Sequence, residues 1–117
     1  MSVKINSTSR ELTKIERYRL TLSPEIKTVQ DLADGTVIKV KAFCDFDDID
    51  EDTGEVAHLL GILDEDDNSY VTQSATFKRS FSDIADIFAD DGESSFAIKK
   101  ISGTTNAGRP YVNCVLA

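Results

Sequence analysis

Thr36-Val-Ile-Lys-Val-Lys-Ala-Phe-Cys-Asp-Phe46 is the stretch that decides the fold. Apolar residues alternate with others along its whole length, the period of a strand rather than of a helix. Ile38, Val40, Ala42, Cys44 and Phe46 are expected on one inward face. Val37, Lys39, Lys41 and Phe43 are expected on the other.

Downstream, an Asp-rich loop with Thr53-Gly54 leads to a second strand at 55–63, where Gly61 predicts a bulge or bend. Asp66-Asp67-Asn68 is a turn signal before a third strand near 69–75. A helix is expected over about 80–89, with Ser80 and Asp83 as its cap pair and Phe77, Phe81, Ile84 and Phe88 as its apolar stripe. Strands at 95–101 and 110–116 follow, the last with Val112, Cys114 and Leu116 inward and Tyr111 and Asn113 outward. Strand, strand, strand, helix, strand, strand is the order of the OB-fold, a five-stranded, partly open barrel. The class is therefore mainly β, with residues 36–117 as an OB-like domain and 1–35 as an N-terminal extension packed on it. Within that extension residues 1–11 are expected to be loosely held, 12–22 to form a strand, and Ser23-Pro24-Glu25 to start a helix reaching about Leu32.

Charge is segregated. The chain has 21 acids and 13 bases, a net −8. Asp45–Asp67 holds eleven of the acids and Asp83–Glu93 five more, with no base in either block. The remainder carries every base against five acids, so a polyanion partner is compatible with local charge although the total argues against it. At 117 residues one core suffices, and no apolar run approaches a membrane span. The N-terminus lacks the apolar core of a signal peptide, so the expected location is cytoplasmic (the host cytoplasm for a phage product). Cys44 and Cys114 sit among apolar neighbours as small core residues.

Enzyme signatures are absent: no phosphate-binding glycine loop, no G-x-S-x-G, no H-E-x-x-H. With His58 as the single histidine, a zinc site lacks ligands. Asp48-x-Asp50-x-Asp52 fails as a calcium loop because Thr53 and Leu59 stand where Gly and Glu are required. No metal and no cofactor is expected.

What the pattern does offer is aromatic rings beside bases, the combination that binds single strands by stacking and phosphate contact. Lys39, Lys41 and Phe43 on the first strand's outer face, with Arg109 and Tyr111 at the last strand, are the leading candidates. Tyr70, Lys99 and Lys100 come next. The plain alternative for Phe43 is burial, and for the lysines a solvated face.

The segment Lys99–Tyr111, with Gly108-Arg109-Pro110-Tyr111 turning into the last strand, resembles small single-stranded DNA-binding proteins of phages and mobile elements. The resemblance covers this segment and the general order of elements. It implies a non-catalytic protein that coats single-stranded DNA in replication or recombination with little sequence preference, with Arg109 and Tyr111 at the matching positions. RNA is the alternative ligand. Many such proteins end in an acidic, Phe-tipped tail, whereas this chain ends Asn113-Cys114-Val115-Leu116-Ala117. The acidic loop 47–55 falls where an OB-fold grips its ligand and would repel phosphate, unless it swings away or serves as a docking element for a replication or recombination protein. Rival readings are an acidic adaptor or DNA mimic, and a structural phage protein; self-association is left open.

Overall fold

A computed structural model describes residues 2–90 and 95–117. Asp91 and Glu93 of the second acidic block lie outside the described residues. Among the described residues, seven strands and two helices follow in the order β1 (Ser2–Thr8), α1 (Lys14–Thr21), β2 (Lys27–Thr28), β3 (Val37–Ile49), β4 (Val56–Asp64), β5 (Ser69–Thr72), α2 (Ala75–Asp90), β6 (Phe96–Thr104) and β7 (Pro110–Leu116). A 3-10 turn occupies Val29–Asp31.

The strands form one curled sheet in the order β2-β5-β4-β3-β6-β7. Among the described residues no pairing joins β7 to β5, so the barrel stays half open along that seam. This is the mainly-β, OB-like arrangement expected from the order of elements. At 13 residues, β3 is the longest strand and organises the rest. One edge pairs with β4 from Val40 to Ile49. The other pairs with β6 over Val37–Val40 and with β1 over Cys44–Ile49. Ser9 bridges the junction, its N–H donating to Phe43 O and its Oγ accepting from Phe43 N, both at 2.9 Å.

One irregularity in β3 changes the expected faces. Val40 lies opposite Asp64 but Ala42 lies opposite Leu63, so Lys41 is an extra residue, a β-bulge. The bulge exchanges the two sides of the strand. Ile38 and Val40 point into the barrel with Leu60, Ile62, Phe77, Phe81 and Ile98. Ala42, Cys44 and Phe46 point out of it, into a second cluster with Leu12, Leu20 and Leu63. All five are buried as expected, yet against two different layers.

The N-terminal segment departs most from expectation. Residues 2–8 form a strand rather than a loose end, because Val3 and Ile5 alternate onto the outer cluster and Lys4 faces Asp47 across the pairing. Residues 14–21 form a helix rather than a strand, and the local cause is a capping box. Glu16 N–H donates to Thr13 Oγ1 (3.1 Å), and Thr13 N–H donates to Glu16 Oε1 (3.0 Å). Arg10 closes on the same carboxylate through Nη1 (3.0 Å) and Nη2 (2.7 Å). Only Glu16 and Leu20 are buried along α1. The expected helix after Ser23 is a turn instead: Ser23 Oγ accepts from Glu25 N–H at 3.2 Å, and the chain then adds β2 in parallel beside β5.

A β-carbon on Gly61 would lie 3.1 Å from both Leu20 O and Phe46 Cε1, so the glycine marks where α1 seats on β4 rather than a bulge. Helix α2 begins earlier than expected, with Ser74 Oγ accepting from Phe77 N–H at 3.2 Å in place of a Ser80–Asp83 pair. Its stripe is as expected: Phe77 and Phe81 are fully buried, and Ile84 and Phe88 pack against the same core. Both cysteines are free and buried, and burial pushes the Cys44 thiol up to about 12 and Cys114 up to about 11.

Candidate nucleic-acid interface

Helix α1 packs on the outside of β3, β4 and β5, and β1 pairs along the edge of β3 beside it. That is the strand 2–3 face on which OB-folds ordinarily hold oligonucleotides. The outer surface left open is therefore the other half of the sheet, where β3, β6 and β7 run side by side.

Register builds that surface. Val37 lies opposite Lys99, and Lys99 opposite Val115, so one row crosses three strands. Lys39 lies opposite Ala97, Ile101 opposite Asn113, and Gly103 opposite Tyr111. Side chains of opposed residues share a face, and residues two apart along a strand share it too. Lys39, Lys99 and Tyr111 thus stand on one side of the sheet with Val37, Ile101 and Val115 between them. Val37 and Val115 are exposed, giving the lysines an apolar floor. Leu116, expected inward, is also exposed, at the end of an edge strand flanked on one side only.

The loop entering β7 is a tight turn: Gly108 N–H donates to Thr105 O (2.8 Å), and Thr105 Oγ1 accepts from Arg109 N–H (3.1 Å). Gly108 has φ +82°, a conformation that favours glycine. Arg109 is left exposed beside Tyr111. The Tyr111 ring lies across Gly103, where a β-carbon would come within 2.5 Å of the phenol oxygen. The absence of a side chain on β6 lets the ring lie down on the sheet, and it stays 37% exposed. Among the described residues, Lys39, Lys99 and Arg109 have no carboxylate within ion-pair distance, whereas Arg10, Arg19, Lys41 and Lys100 do.

Three of the eight candidate residues therefore share this surface, Lys39, Lys99 and Tyr111, and Arg109 stands exposed in the turn next to Tyr111. Lys41 sits at the bulge and is spent on Asp67 (2.8 Å), which also takes Arg19 (3.1 Å). The two bases hold the Asp67 carboxyl below its usual range. Phe43, expected outward, and Tyr70 and Lys100 do not stand on this face. The bulge turns Phe43 into the barrel, edge-on to Phe81 with ring centroids 4.9 Å apart. Tyr70 is 7% exposed and donates to Asp64 Oδ2 at 2.9 Å; burial, reinforced by Asp64, pushes its phenol up to about 12. Asp64 meanwhile fixes the β4–β5 turn by accepting from the N–H groups of Asp66 (2.9 Å) and Asn68 (2.8 Å). Lys100 is 4% exposed, its Nζ donating to Leu32 O (2.8 Å) and Asp34 Oδ1 (3.0 Å).

The acidic hairpin no longer conflicts with this surface. Lys39 stands near one end of β3 and Asp50 just past the other, with a contour of roughly 30–35 Å of chain between them at about 3.3 Å per residue. Because β6 runs antiparallel from its pairing at Val37–Val40, Gly103 and the Arg109 turn lie farther still from Asp50. Acid is also consumed locally there: Asp47 Oδ1 accepts from His58 Nδ1–H at 2.7 Å, Asp45 accepts from Ser7 (3.0 Å), and Glu51 accepts from Ser2 (2.6 Å). His58 is thus an exposed cross-strand partner.

The family model for phage single-stranded DNA-binding protein, of the phi29 type, matches residues 3–116. The chain belongs to that family, and single-stranded DNA is its partner. No curated protein and no solved structure matches it significantly. Among the described residues no helix is long and apolar enough to cross a membrane.

Proposed function

We propose that the protein coats single-stranded DNA non-catalytically during phage replication and recombination, in the host cytoplasm. The strand crosses the outer face of β3, β6 and β7, its phosphates on Lys39, Lys99 and Arg109 and a base stacked on Tyr111. Neither contact reads a base edge, so little sequence preference is expected. The observation that carries this reading is the register that gathers Lys39, Lys99 and the exposed Tyr111 ring on one face, with Arg109 exposed in the turn next to Tyr111, at the end of β3 remote from the acidic hairpin. The hairpin at 47–55 is then free to engage a replication or recombination protein without blocking DNA.

A salt-titrated binding series with oligo-dT, duplex DNA and RNA tests it. Tight binding to oligo-dT that weakens steeply with salt, with duplex weaker, is expected. Binding indifferent to salt, or equal for duplex, would overturn it.

A further inference from the structure

A cleft of about 500 Å³ opens beside β6 and β7, lined by Gln30, Ser74, Lys100, Ser102, Tyr111 and Val112. Tyr111 borders it, so the cleft adjoins the outer face described above. Two of its lining residues, Lys100 and Ser102, hold a carboxylate in an unusual position. Asp34 Oδ1 accepts from Lys100 Nζ at 3.0 Å, while Oδ2 accepts from Ser102 Oγ at 2.6 Å. The lysine side chain is 5% exposed and the aspartate 58%. A buried cation is therefore answered by an anion that stands mostly in solvent.

We propose that Asp34 occupies an anion site built for a backbone phosphate, and that single-stranded DNA displaces it. A phosphodiester carries one negative charge and two free acceptor oxygens, as Asp34 does, and could accept from Nζ and Oγ in the same way. The cation itself is fixed independently of Asp34. Lys100 Nζ keeps its bond to Leu32 O, and its backbone is tied by Gly35 N–H to Lys100 O (2.8 Å) and Lys100 N–H to Thr36 O (2.9 Å). Removing the Asp34 side chain therefore leaves the donors in place. Displacement also costs Asp34 little hydration, because it already faces solvent. The aspartate keeps the buried charge satisfied until DNA arrives, and a strand rounding the β7 edge at Tyr111 exchanges one anion for another.

This rests on the reading that DNA crosses the β3, β6 and β7 face, and the test separates the two. Asp34→Asn and Asp34→Ala are expected to bind oligo-dT about three- to tenfold more tightly than the unmodified protein, because no carboxylate has to be displaced, with a salt slope little changed, because the same phosphate contacts Lys100 in both complexes. Variants that keep the native melt and bind oligo-dT no more tightly overturn the proposal. If in the same series Tyr111→Ala still weakens binding, only the Asp34 proposal has failed; if Tyr111→Ala is also neutral, the face itself is wrong. A second readout needs no variant. Ser102 first, then Lys100, hold the Asp34 carboxyl below its ordinary range in the free protein. In an NMR titration with oligo-dT bound, that carboxyl should move back up; a carboxyl that stays depressed in the complex overturns the proposal even if the variants fail to fold.

Discussion

The Tyr111 ring lies over Gly103 on the adjacent strand, so close that a β-carbon there would meet its oxygen at 2.5 Å. The glycine holds no turn and has no positive φ. Its role is to be bare, which flattens an exposed aromatic onto the sheet as a platform for a base. Tyr111→Ala should weaken oligo-dT binding about 5- to 100-fold, the loss of one stacked base at about 1–3 kcal/mol. Gly103→Ala should weaken it too, by lifting the ring, although no DNA contact has been deleted. Fluorescence anisotropy with both variants checks this; a Gly103→Ala protein that binds normally would show that the ring's pose is irrelevant.

Lys39, Lys99 and Arg109 are expected to act as phosphate contacts and not as base readers. Each single change to Gln should reduce the salt slope by about 0.7 and weaken binding to all sequences alike. Lys41→Gln is the internal control. Because Lys41 is held by Asp67 at 2.8 Å, its loss should leave the slope nearly unchanged. Equal effects from Lys41 and Lys39 would place the DNA nearer the β4–β5 turn.

Phe43 and Tyr70 are expected to report on stability and not on binding. Phe43→Ala removes a ring packed edge-on against Phe81 and should cost about 3–4 kcal/mol. Tyr70→Phe removes one buried hydrogen bond to Asp64 and should cost about 1–2 kcal/mol while leaving affinity unchanged. Urea melts and binding curves on the same samples decide it. A Tyr70→Phe protein with native stability and lost affinity would return that phenol to the interface.

The contrast between Phe43 and Lys39 shows how far the sequence could be read. Alternation located β3 to within a few residues and assigned Lys39 to the outer face correctly. It could not show the bulge at Lys41, because β3 is buried on both sides by its midpoint: Ala42, Cys44 and Phe46 look equally inward whichever layer covers them. The covering layer was misread for a related reason. Tyr18, Leu20 and Leu22 alternate like a strand, yet Tyr18 in the helix and Leu22 at its C-cap are exposed and only Leu20 of the three is buried. The signal that decides the matter, Thr13-x-x-Glu16, is local and was legible as a capping box. Lys100 was beyond reach, since its partner Asp34 is 66 residues away in sequence.

Glu16 gives the N-terminal segment a pH dependence of definite sign. Its carboxylate takes two bonds from Arg10 and one from Thr13 N–H, and Arg10 first, then the Thr13 amide, lowers its pKa from 4.5 to about 2. A carboxyl depressed on folding adds stability that is fully present above its unfolded pKa and drains away as pH falls towards the folded one. The window is therefore from about 4.5 down to about 2. Glu16→Gln keeps the length of the cap but not the charge, and should cost about 1–2 kcal/mol at neutral pH. The gap between variant and unmodified protein should narrow as melts are taken from pH 6 to pH 3, because protonation removes from one what mutation removed from the other. Asp34, Asp47, Glu51 and Asp67 are depressed as well but are the same in both proteins, so they tilt both curves together. A gap that stays constant across the window would mean that the Arg10–Glu16 pair contributes no charge-dependent stability and that α1 is held by Leu20 alone.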